Sequence, residues 1–167
     1  WRAKVREVSL ERRRRLALRF SARMNSVEWL RYNDIINGGT GMLKEKAKEY
    51  YDDKDYNCAE AIIRAANDVY DLGINESGLK SYGCFGAGMQ CGSVCGAVSG
   101  AMGAISAKEV KTIAHESETL GPKCREMMKG FEERFGHTLC KEVRKIQFSR
   151  ETRCWKAVEG AAEILER

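Results

Sequence analysis

Histidine and proline are almost missing from this chain: His115, His137 and Pro122 are all it has of either. Two histidines exclude an imidazole-rich metal centre, and each reads as a solvated or capping residue. No Gly-x-x-x-x-Gly-Lys phosphate loop, Ser-His-Asp signature or pair of catalytic carboxylates can be argued. No apolar run approaches the roughly 20 residues that span a bilayer, and no apolar stretch follows the N-terminal arginines as in a secretory leader. Cys-x-x-Cys-His is missing too, which excludes covalent c-type haem. The expectation is a cytoplasmic protein with no membrane span.

What is there in excess is cysteine and, in one place, arginine. The 167 residues suit one domain with a real core, and the apolar and charged shares of 43% and 32% are those of a globular chain. The net charge of +5 is unevenly spread. Residues 1–41 carry ten Lys/Arg against four Asp/Glu, leaving 19 basic and 20 acidic residues beyond. The body of the chain is therefore nearly neutral and gives no electrostatic reason to expect nucleic acid.

Residues 1–41 form a basic N-terminal extension with two readings. One is an amphipathic arm for a membrane surface, nucleic acid or targeting. The other is sequence upstream of the natural start, because "MLKEKAKEYY" from Met42 reads like a beginning. Mass spectrometry of the endogenous protein distinguishes them. The cysteine-bearing domain is expected over 42–167.

Strand-like alternation is scarce and 3.6-residue periodicity common, which predicts an all-α, compact bundle of about five to seven helices. A first helix is expected over about 42–53. A second is capped by Asn57 with Glu60 and closed by Gly73. A short polar helix follows Asn75. "GCFGAGMQCG" is too rich in glycine for stable helix. A long helix follows Ser93 and continues through "AKEVKTIAHESE". Gly96, Gly100 and Gly103 on it imply close approach of another backbone, within the chain or across a homodimer. "GP" restarts the helix, with Pro122 in a first turn, and Gly136 ends it. Thr138 caps a short helix and a last one covers about 151–166.

The seven cysteines are odd in number and widely spaced, unlike a fully paired secreted framework. In a reducing compartment such cysteines are more often metal-binding or catalytic. Cys58 shares a helical stripe with Ile62, Ala65, Ala66 and Val69. Cys91 and Cys95 share one with Val98, Met102 and Ile105, Cys124 with Met127, Met128, Phe131 and Phe135, and Cys154 with Val158, Ala161 and Leu165. Each is the spacing of a buried face. Cys58, Cys95, Cys140 and Cys154 also fall within two residues of expected helix starts, where free N–H groups favour thiolate over thiol. They are the candidate catalytic residues.

"NCAEA" at 57–61, "VCGAVSGAMGAI" at 94–105, "ERFGHTLCKEV" at 133–143 and "CWKAVEGAAEIL" at 154–165 resemble the four cysteine blocks of the C_GCAxxG_C_C family. The likeness covers about residues 42–167. By position it assigns the family's cysteines to Cys58, Cys95, Cys140 and Cys154, with Cys84, Cys91 and Cys124 additional. It implies a helical, redox-active, thiol-bearing domain. A related domain occurs in split-Soret cytochromes, which carry haem and an iron–sulfur site.

Three uses of these thiols remain open at this point. Four thiolates satisfy a tetrahedral zinc or an iron–sulfur cluster, with Cys91, four residues before Cys95, as a fifth candidate metal ligand. Two sulfurs that can meet would support thiol–disulfide exchange with a redox partner protein, Cys58 with Cys95 or Cys140 with Cys154. In a non-enzymatic helical interaction module the cysteines would simply pack.

Overall fold

The computed structural model describes residues 41–167, so the basic N-terminal extension lies outside the described residues. Within them the chain forms seven α-helices and no strand, an all-α fold. Helix α1 (Met42–Lys48) runs into a wider π turn over Glu49–Asp53. It is followed by α2 (Cys58–Tyr70), α3 (Glu76–Lys80), α4 (Gly96–Glu109), α5 (Leu120–Phe135), α6 (Cys140–Gln147) and α7 (Trp155–Leu165).

Local signals explain most of the boundaries. Asn57 accepts from the backbone N–H groups of Ala59 and Glu60, and Glu60 reaches back to the Asn57 N–H, a complete capping box. Asn75 caps α3 by accepting from the Gly78 N–H. Gly121 and Pro122 occupy the first turn of α5, where a missing N–H costs nothing, and Gly136 closes that helix with φ +75°.

Several boundaries differ from the sequence expectation. Helix α2 ends at Tyr70, because Asp71 (φ +51°) takes the left-handed position ahead of Gly73. The long helix stops at Glu109. Val110 turns extended, and β-branched Thr112 and Ile113 follow, which disfavour helix. The last helix starts at Trp155 instead of about 151.

Helix α4 is the centre of the bundle. Its small residues leave it buried on several sides, packed against α2, α5 and α7. A side chain on Gly100 would press into the Ala59 carbonyl at 2.5 Å, and one on Gly103 would overlap the Tyr82 hydroxyl. The close approach these glycines permit is thus made within the chain. Ile62, Ile63, Val98, Met127, Phe131, Val143 and Val158 are fully enclosed. Each such side chain contributes about 1.5–3 kcal/mol by leaving water. Among the described residues no helix is long and apolar enough to cross a membrane.

Candidate cysteine site

The four blocks that carry the sequence resemblance converge. Cys58 is the first residue of α2 and Cys140 the first of α6, while Cys95 and Cys154 stand at the N-caps of α4 and α7. Cys58 stands where the spacing predicts, and the other three are nearer to helix starts than expected, because Ser93, Thr138 and Thr152 do not serve as the caps. A reciprocal backbone pair joins two of these starts. The Cys95 N–H donates to the Thr138 carbonyl at 2.8 Å, and the Cys140 N–H to the Ser93 carbonyl at 2.6 Å.

The result is one cavity of about 230 Å³ with Cys58, Cys95, Cys140 and Cys154 in its wall. Tyr51, Val143 and Ala157 supply apolar surface, and Arg144, Phe148 and Arg153 also line it. Cys95 and Cys140 are buried, and Cys58 and Cys154 half-buried.

Cys58 lies at the electrostatic centre of the group. Burial raises the pKa of Cys95 to about 12 and of Cys154 to about 11, and that of Cys140 in the same direction; in each case the charge of Cys58 adds to the effect. Burial also pushes the Cys58 thiol up, although backbone N–H groups of Ala87, Ala59 and Ala97 oppose it by favouring the anion. The helix starts act in the expected direction, but desolvation outweighs them. These are therefore protonated thiols unless a cation joins them.

The segment between α3 and α4 reaches the cavity at Ala87 and has an unusual backbone. Ala87, Gly88, Met89 and Gln90 all have positive φ, a left-handed turn that costs roughly 1–2 kcal/mol at each non-glycine. Gly88 sits directly on α6, since a Cβ there would lie 2.5 Å from that of Cys140. The Ser93 N–H donates to the Gly88 carbonyl at 2.9 Å and closes the turn.

The remaining cysteines stand apart. Cys91 and Cys84 are exposed, with their thiols on the Gly88 and Ser81 carbonyls, and neither lines the cavity. Cys124 is half-buried on α5 and lies outside the cavity. His115 and His137 are exposed. Sequence reasoning missed Tyr51, Arg144, Arg153 and the left-handed turn. Tyr51 lies in the polar stretch "EYYDDKDYN", where no periodicity marks it.

The donor chemistry suits a soft metal centre, since four thiols are all the side-chain donors that a tetrathiolate site needs. A single zinc with Zn–S of about 2.3 Å draws its sulfurs to within roughly 3.8 Å of one another. Among the described residues no three His, Cys, Asp or Glu donors converge closely enough to hold one ion.

Comparison with known proteins gives one match. A family model described as "Putative redox-active protein (C_GCAxxG_C_C)" matches residues 56–167. No curated protein and no solved structure matches the chain.

Proposed function

The chain belongs to the C_GCAxxG_C_C family, described as "Putative redox-active protein", and from that premise we propose that Cys58, Cys95, Cys140 and Cys154 hold an iron–sulfur cluster used in electron transfer. The observation that carries this reading is the shared cavity. Thiols from four separate segments line one largely apolar space of about 230 Å³. Inert packing of four unrelated cysteines gives no reason for them to share a space.

An iron–sulfur cluster supplies a one-electron couple whose potential depends on hydrogen bonds to its sulfurs and on solvent exposure. The chain's own residues contribute the rest. The four thiolates ligate. Backbone N–H groups of Ala59, Ala87 and Ala97 face the Cys58 sulfur. Arg144 and Arg153 offset negative charge at the rim, and Val143 and Ala157 exclude water. Phe148, 45% exposed beside Arg144, marks the face where a redox partner protein would exchange electrons.

Thiol–disulfide exchange is the second reading, supported by the reciprocal backbone pair that joins the Cys95 and Cys140 helix starts. Against it, exchange needs an available thiolate, and burial disfavours one at every position.

Anaerobic purification with iron and acid-labile sulfide analysis and visible spectra tests the proposal. The expected result is brown protein, with colour and sulfide lost in Cys95→Ser and kept in Cys124→Ser. Colourless, iron-free protein that takes up no iron and sulfide on reconstitution would overturn it. A redox-dependent thiol count in that protein would favour exchange.

A further inference from the structure

Tyr51 is 4% exposed and lines the cysteine cavity. Its hydroxyl oxygen accepts a hydrogen bond from the Cys154 backbone N–H at 2.9 Å. That bond occupies the oxygen and leaves the hydroxyl's own proton without an acceptor among the described residues. A buried donor with no partner costs about 1–3 kcal/mol, so native structures rarely leave one idle. The ring is held firmly. The Arg153 guanidinium lies 4.1 Å from its centroid and donates to the Tyr51 carbonyl, and Trp155 packs at 6.2 Å.

The proton's surroundings limit its acceptor. The phenol meets Cys154 at its backbone N–H and shares the cavity wall with Cys58, and an ordinary phenol keeps its proton at neutral pH. The other cavity side chains offer apolar surface, guanidinium groups that cannot accept, the Asn57 amide oxygen, which already accepts from the Ala59 and Glu60 N–H groups, and thiols. The one kind of acceptor this arrangement suits is an anionic sulfur.

We infer that Tyr51, which precedes the family-matched stretch 56–167, is a hydrogen-bond donor to the sulfur anion held in the cysteine cavity. The inference rests on the proposed redox site. It adds to the cysteines a fifth residue that sets how readily the site is reduced, because a hydrogen bond to sulfur favours the more negative state. The anion is either a cluster sulfur or a cysteine thiolate, and the two arms of the test separate them.

Wild type and Tyr51→Phe are first reconstituted anaerobically with ferrous iron and sulfide. Equal iron and sulfide in the two proteins, with the reduced state about tenfold less favoured in Tyr51→Phe, supports donation to a cluster; for one electron that is about 59 mV toward the negative. An equal potential overturns the inference and leaves the cluster proposal standing. Wild type that takes up no cluster overturns the proposed function instead. The second arm then decides, as the rate of Cys58 and Cys154 alkylation by iodoacetamide in metal-free protein. Loss of a donor to thiolate slows alkylation several-fold in Tyr51→Phe, whereas mere loosening of the cavity speeds it. An unchanged or faster rate overturns the inference. If Tyr51→Phe does not fold, a fluorotyrosine at position 51 keeps the ring and strengthens the donor. The potential should then rise, or alkylation quicken, and no change in either overturns the inference.

Discussion

The sulfur of Cys58 occupies the space that a side chain on Gly96 would need. A Cβ on Gly96 would also stand 2.8 Å from the Phe85 carbonyl and 3.4 Å from the Ala59 N–H nitrogen, so there is backbone on two further sides. The contact sets the separation of α2 and α4 where the cavity begins.

Gly96→Ala therefore cannot be absorbed by turning one flexible side chain. Overpacking of this kind costs about 1–3 kcal/mol. Thermal denaturation should show a lower Tm, and Cys58 should alkylate faster as the helices part. A melting curve and an alkylation rate matching wild type would show that the two helix starts are not in register here.

Gly88 and Gly136 provide a matched comparison. Both have left-handed φ, +63° and +75°, but a Cβ on Gly136 meets nothing within 4 Å. One on Gly88 meets Cys140 at 2.5 Å and the Ser93 backbone at 2.8 Å. Gly136→Ala should cost only the conformational term, roughly 1 kcal/mol. Gly88→Ala adds overpacking and should cost roughly 2–4 kcal/mol by urea denaturation. Equal losses would mean that the left-handed turn does not rest on α6.

These two positions also indicate how far the sequence could be read. The faces of Cys58, Cys95 and Cys154 were legible because burial follows a 3.6-residue period, whereas Cys91, expected on the Cys95 face, is exposed because the chain there leaves the helix; Asn57 with Glu60 marked the start of α2 because capping is local chemistry. Gly96, Gly100 and Gly103 signalled close contact. Neither Tyr51 nor Arg153 was legible. Each reaches the cavity through a tertiary contact, Tyr51 to Cys154 across 103 residues of chain, and neither lies on an apolar stripe. The left-handed turn was hidden for a related reason. Its glycines announce freedom from helix, but Ala87, Met89 and Gln90 hold positive φ only because the surrounding structure imposes it.

The raised thiol pKa values carry a pH dependence whose sign is fixed. A thiol titrates from neutral to charged, and Cys95 and Cys154 have folded values of about 12 and about 11 against 9.0 for the unperturbed group. Between those limits the unfolded chain has lost protons that the folded one keeps. Stability is thus fully present below about pH 9 and is lost as the pH rises from there through the folded values, by about 1.4 kcal/mol per pH unit for buried Cys95 and less for half-buried, solvent-screened Cys154. Urea midpoints of metal-free protein between about pH 8 and 11 should decline, and Cys95→Ser should flatten the slope. A midpoint that rises with pH would mean that the thiols are not desolvated as described.

Arg153 combines a strained backbone with the contacts that position Tyr51, and substitutions can separate the two. Its φ of +53° is unfavourable for a residue with a side chain. Its guanidinium pairs with Asp55 at 2.8 Å, stacks on the Tyr51 ring and donates to the Tyr51 carbonyl. Asp55 is 87% exposed and has φ +56°, so Asp55→Asn, which removes the charge and keeps a side chain tolerated there, should move stability by no more than about 0.5 kcal/mol. Arg153→Ala loses the stack and a charge-assisted hydrogen bond and should cost about 1–3 kcal/mol. Arg153→Gly loses the same contacts but relieves the backbone, so it should be roughly 1 kcal/mol more stable than Arg153→Ala. Urea denaturation of the three variants checks this order. Should Arg153→Ala match wild type, the guanidinium would not be what holds the phenol against Cys154, and the firm placement of Tyr51 would have to come from Trp155 and the π turn alone.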